Sequence, residues 1–178
     1  MKYHTFWPRF WAGWIDSLVL LPLWFADFLI WANVSSLALL VPWYLFYAVV
    51  EPMYTIGLHA KYGQTIGKMV MGVKVLDISE QKLSLKQAVL RDIVPLVLTI
   101  LGVASMLPSV VRGINPYSPE FELTTLDLIA IYAGIGWALV ELVTMLSNPK
   151  RRAIHDFIAG SVVVRLRGLP ETPEAQQG

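Results

Sequence analysis

Four stretches of about 20 apolar residues constrain this chain more than anything else in it, because a helix needs that length to cross a hydrocarbon core about 30 Å thick. They cover residues 10–31, 37–59, 89–111 and 126–147. With 56% hydrophobic and 15% charged residues, the 178-residue chain is too apolar for a soluble globule. The sequence therefore predicts an all-α membrane protein: one domain over 1–167 with four transmembrane helices, then a Pro-, Glu- and Gln-rich tail over 168–178 expected to be disordered. The first run is expected to be retained as a span. It is long for a signal-peptide core, carries Asp16 and Asp27, and lacks a small-x-small cleavage site.

Charge placement orients the spans. Of the 14 lysines and arginines, every one but Arg112 falls on one side if both termini are cytoplasmic, which predicts an N-in/C-in arrangement. A net charge of +1 argues against a nucleic-acid partner. The absence of cysteine excludes disulfides, Fe–S clusters and thiolate zinc sites. His4, His59 and His155 are scattered without metal-ligand spacing, and no nucleophile motif accompanies them. Neither an enzyme nor a bound metal or cofactor is expected.

The inner loop "KYGQTIGKMVMGVKVLDISEQKLSL" combines glycines with the alternation Val73-Lys74-Val75 and a turn-like "DISEQ". This predicts a small cytoplasmic juxtamembrane layer containing a short β-hairpin, to which "SVVVRLR" could add a third strand. The alternative is a pair of interfacial loops. The segment is not a P-loop: only three residues separate Gly63 from Gly67, and Met69 follows Lys68. Gly63 and Gly67 fit a sharp turn, and Lys68 fits contact with lipid phosphate.

At about 100° per residue, positions seven or eleven apart nearly eclipse, so Arg9, Asp16 and Asp27 share one stripe of the first helix. Tyr47 and Glu51 lie on one face of the second, with His59 at its inner end; Asp127 and Glu141 lie on one face of the fourth, and Asp92 heads a weaker polar line on the third. By rise per residue, Asp16, Glu51 and Glu141 each sit roughly 9–12 Å into the core. Ionised groups at such depth must face the bundle or a wet cavity and find partners. Two readings stand open. In one, the three carboxylates hold a cation or a shuttling proton, with Arg9 reaching toward Asp16; in the other, Arg9 simply neutralises Asp16 and the glutamic acids hydrogen-bond between helices. Asp27 and Asp127 sit near the outer ends. Ala130, Gly134 and Ala138 form a small-residue ridge suited to helix contact.

Three segments in this order resemble the RDD family of bacterial membrane proteins: Arg9 with Asp16 in the first span, "GQTIGKMVMGVKVLD", and "RRAIHDFIAGSVVV". The resemblance covers about residues 6–165, with His155 where the family usually has glycine and Ser161 where it has threonine. It implies that the family's named residues are Arg9, Asp16 and Asp156. It further implies a bacterial cytoplasmic-membrane location and a transport-associated role; some members are proposed as Na⁺/H⁺ antiporters. The arrangement of segments suggests that Asp156 pairs with Arg9 or Arg91, clamping the C-terminal segment under the bundle. The expected function is transport of a monovalent cation coupled to protons, in a homo-oligomer or with a partner membrane protein. The rival expectation is a non-transporting scaffold that docks a partner through its cytoplasmic layer.

Overall fold

In a computed structural model, described over residues 2–119 and 121–166, four long helices carry the apolar runs. They are α1 (Phe6–Asn33), α2 (Leu37–Tyr62), α5 (Ile93–Val110) and α6 (Thr125–Leu146). Between α2 and α5 lie α3 (Ile66–Val70), β1 (Val73–Asp77) and α4 (Leu85–Arg91); after α6 come α7 (Ile154–Ile158) and β2 (Ser161–Arg165). All four long helices are long and apolar enough to cross a membrane. Even the shortest, α5 at 18 residues, spans about 27 Å. Most of their large apolar side chains point outward, Leu18, Met53, Ile100 and Val143 among them, as a lipid-facing surface requires.

The third predicted span is two helices, not one. Ser84 and Gln87 form a capping box that starts α4, and the chain turns at Asp92 before α5 begins. The apolar count could not see this break, because Val89 and Leu90 continue the greasy pattern across it. The tail from residue 168, expected to be disordered, lies outside the described residues.

The predicted sheet exists with a different pairing. β1 runs antiparallel to β2, from Val73↔Arg165 to Asp77↔Ser161, while the "DISEQ" turn yields only an isolated bridge between Leu76 and Lys82. The sequence-distant strand wins because its valines complete a core: Val73, Val75, Leu83, Ala88 and Val163 are buried together against Ile56 and Ala60 of α2. The N-terminus joins the same layer, with Arg165 N–H donating to Lys2 O (3.0 Å) and an ion pair between Lys2 and Glu80. Both described ends of the chain therefore meet at one end of the bundle, the sheet end.

At the opposite end, Trp31, Leu40, Tyr44 and Val110 form a second apolar cluster. Asp27 is buried there and accepts hydrogen bonds from Trp43 Nε1 (2.8 Å) and Tyr117 Oη (2.5 Å), tying α1, α2 and the α5–α6 loop together. Asp127 is buried too. It caps α6 reciprocally with Thr124, accepting from its N–H at 2.8 Å and its hydroxyl at 2.7 Å.

Two glycines set the approach of the sheet layer to the bundle. Gly63 ends α2 with φ +70°, a left-handed cap that side chains rarely tolerate, and its carbonyl accepts from Val75 N–H (2.8 Å). Gly67 lets α3 lie directly on α1: a Cβ there would stand 2.1 Å from the carbonyl oxygen of Ala12. Backbone on both sides leaves nothing free to yield. Gly67→Ala is expected to lower the unfolding temperature in detergent sharply, by the equivalent of about 2–3 kcal/mol or outright misfolding. Gly57→Ala, where an added methyl meets nothing within 4 Å, should behave as wild type. Equal stability of the two variants would contradict this packing.

Candidate functional site

The sheet end is organised around Asp156, which has no exposed surface. It sits in the first turn of α7, where its Oδ2 accepts the N–H of Ala153 (2.8 Å). Arg9 of α1 donates to the same oxygen at 2.7 Å, and Arg91 of α4 pairs with Oδ1, which also accepts from Ser161 Oγ (3.2 Å). Burial alone would raise the carboxyl pKa. The Arg9 and Arg91 guanidinium groups overrule it and hold Asp156 well below the usual carboxylate range. The expected clamp is thus present, and it uses both candidate arginines.

His155 completes the cluster. Its Nε2 faces Arg9 Nη2 at 3.0 Å and Arg91 Nη2 at 2.7 Å. A guanidinium can only donate, so Nε2 must accept and the proton sits on Nδ1, which donates to Glu141 of α6. Burial, then Arg91, pushes the His155 pKa below its ordinary value, in keeping with a neutral ring. Two cations and two carboxylates balance around it, gathered from α1, α4, α6 and α7.

Asp16 belongs to a different set. Its Oδ1 accepts from Tyr54 Oη (2.6 Å) and Gly67 N–H (2.7 Å), and its Oδ2 from Thr65 Oγ1 (2.6 Å). Three neutral donors from α2 and the α3 segment satisfy it, and Arg9 is directed to Asp156, His155 and the Arg151 carbonyl. The expectation that Arg9 reaches toward Asp16 is therefore corrected. Sharing a helix stripe brings two side chains to one face, but each takes the nearest complementary group on a neighbouring element.

Glu51 stands apart again. It lines a cavity of about 210 Å³ with Tyr44, Tyr47, Thr99 and Gly102, and a smaller one of about 80 Å³ with Asp92, Pro95 and Thr99. Thr55 directs its hydroxyl to the Glu51 backbone carbonyl at 3.1 Å and not to the carboxylate. Pro52 has no N–H to give, so the Ala48 carbonyl one turn earlier lacks its helical donor, and Ala48 lines the larger cavity. Toward the sheet end, His59 Nδ1 lies 3.8 Å from Asp92 Oδ2. Both ring nitrogens of His59 and this oxygen are buried without a hydrogen-bond partner among the described residues.

Asp16, Glu51 and Glu141 thus do not form one cluster. Similar depth along three helices does not fix the direction each side chain takes, and separate donors claim two of them. Sequence reasoning put Tyr54 on the polar face of the second helix but did not pair it with Asp16, and it did not single out Thr65 as a donor to Asp16 or Tyr117 as a donor to Asp27. Thr65 and Gly67, inside the "GQTIGK" stretch, were the available signal, since a hydroxyl and a glycine N–H two residues apart suit a carboxylate.

Removing the Asp156 charge should be costly, because it strands two buried guanidinium groups. Asp156→Asn is expected to destabilise the detergent-solubilised protein by about 3–5 kcal/mol; a change within error in the unfolding midpoint would refute the shared clamp. The His155 pKa gives a pH dependence with a definite sign. Its folded value lies below 6.5, so under about pH 6.5 the unfolded chain binds a proton that the folded ring refuses, and stability falls as pH falls. The unfolding midpoint should drop between pH 7.5 and 5.5, with a slope of up to about 1.4 kcal/mol per pH unit from this group. His155→Gln should flatten that slope; an unchanged slope would exclude His155 as its source.

No curated protein and no solved structure matches the chain. A profile of the RDD family matches residues 3–160, nearly the whole described chain, and takes in Arg9, Asp16, the α3 segment and Asp156. With its four apolar helices and small two-stranded sheet, this multi-pass membrane protein belongs to the RDD family.

Proposed function

We propose that the chain moves a small monovalent cation across the membrane in exchange for protons, with Glu51 as the group that binds each in turn. The observation that carries this reading is the contrast among the membrane carboxylates: Asp16 and Glu141 are held by strong donors, whereas Glu51 borders two cavities with no donor on its carboxylate among the described residues. An ionised carboxylate at that depth costs several kcal/mol unless it is neutralised. A cation or a proton is what neutralises it. Residues that carry oxygen donors line the same cavity: Tyr47, Thr99 and Ala48, whose carbonyl is freed by Pro52. Asp92 shares the smaller cavity with Glu51 and lies near His59, which supplies proton-accepting groups toward the sheet end.

The concentration of positive charge at that sheet end supports a cytoplasmic position for it, with both termini inside. Four spans are few for a transporter that alternates between two repeats. The working unit is therefore a homo-oligomer, or this chain with a partner membrane protein.

The test is purified protein in liposomes with a trapped pH dye, challenged with Na⁺, Li⁺ or K⁺. Wild type should pass protons on addition of at least one ion. Glu51→Gln should reduce the flux below a tenth while leaving the unfolding midpoint unchanged. Glu141→Gln and Asp16→Asn should instead lower the midpoint. If wild type passes no protons with any ion, transport is refuted and a non-transporting scaffold becomes the better reading.

A further inference from the structure

At the sheet end, between α1 and α6, lies a cavity of about 310 Å³ that the transport reading does not use. Its polar lining comes from Arg9, Lys68, Arg91, Glu141 and His155, and its flanks from Phe10 and Leu142. Four of those polar groups satisfy one another: Arg9 and Arg91 share Asp156, and both donate to His155, which donates to Glu141. Lys68 is the exception. It forms no ion pair among the described residues, and its ammonium reaches only Thr65 Oγ1, at a marginal 3.5 Å.

The two carboxylates closest to this slot are engaged elsewhere. Asp16 is occupied by Tyr54, Thr65 and Gly67, and Glu141 by His155. Burial first, then the charge of Arg91, brings the Lys68 pKa down to about 8, the signature of a cation short of negative charge. Asp92 also acts on Lys68 through space but lies against His59 and makes no ion pair with the lysine, so the slot has room for an anion from outside the chain. The flanks say which kind. Phe10 and Leu142 are 44% and 41% exposed on helices that span the membrane, so the cavity opens sideways onto apolar surface and not only toward water. A cation at the base of a slot with apolar sides fits a molecule bearing a phosphate on a hydrocarbon tail. A choline headgroup would bring its own cation against Arg9, which an anionic headgroup avoids.

We propose that this cavity binds an anionic phospholipid, with Lys68 as the principal ligand of its phosphate and an acyl chain lying along Phe10 and Leu142. The site is independent of the Glu51 reading and stands or falls without it. It also explains why the loop between α2 and β1 presents a lysine at a point held so firmly against α1.

The full chain, purified in a neutral detergent, is titrated with phosphatidylglycerol, phosphatidylcholine or inorganic phosphate. Bound lipid is followed by native mass spectrometry and stabilisation by the unfolding midpoint. Phosphatidylglycerol should bind on the order of tenfold more tightly than phosphatidylcholine and raise the midpoint, while inorganic phosphate at equal concentration should do neither. Lys68→Gln should lose that preference, Lys68→Arg should retain it, and Lys82→Gln, an exposed lysine of the same layer, should match wild type. Equal binding of the two lipids by wild type would overturn the proposal, and that comparison stands even if Lys68→Gln does not fold. Undiminished preference in a folded Lys68→Gln would overturn it as well, and equal stabilisation by inorganic phosphate would show that the site takes a free anion and not a lipid.

Discussion

A carboxylate with no exposed surface, placed where a membrane bundle meets its polar layer, has to be neutralised by the protein itself, and Asp156 is neutralised twice over. The two arginines that do so are far apart in the sequence, Arg9 on α1 and Arg91 at the close of α4. Because α7 precedes β2 directly, fixing Asp156 also fixes β2 against β1, with Arg152 donating to the carbonyls of Asp156 and Ser161 at 2.9 Å. One charged contact therefore positions a sheet, two short helices and the sheet-side ends of the spans they join. Such a contact specifies arrangement more than it adds net stability, since the desolvation of three ions offsets much of their attraction.

The same principle separates the remaining acidic groups by task. Asp27 and Asp127 serve the opposite end as a cross-link and a helix cap. Asp16 anchors α3 to α1 through neutral donors, which cost less to desolvate than a second ion pair. Glu141 holds the tautomer of His155 and through it the geometry of both arginines. Glu51 takes none of these structural roles: it stands beside a proline that frees a backbone oxygen and borders a cavity that α1, α2 and α5 leave between them. The helices that hold this room open are fastened at both ends by the polar contacts just described.

Much of the fold was legible in the residues. Span number, the tight α1–α2 turn and the strand character of Val73–Val75 and Val162–Val164 all follow from apolar length and period. Strand pairing was not, because "DISEQ" offers a good local turn and nothing in the sequence reports that valines 88 residues away fill the core better. The pairing of Arg9 with Asp156 was reachable from the motif order, whereas the sharing of Asp156 with Arg91 depends on the break at Asp92, which hydropathy smooths over. Depth along a helix could be counted from sequence; the azimuth and the identity of the donors could not. That is why three carboxylates at one level resolved into three separate environments.

The dependence of the whole layer on the shared clamp is measured most directly by a double-mutant cycle between Arg9→Gln and Asp156→Asn, read as unfolding free energy in one detergent at one pH. A clamp of this kind predicts strong non-additivity, with an interaction term of about 1–3 kcal/mol. Losses that add to within about 0.5 kcal/mol would show that the two residues act independently, and would contradict it.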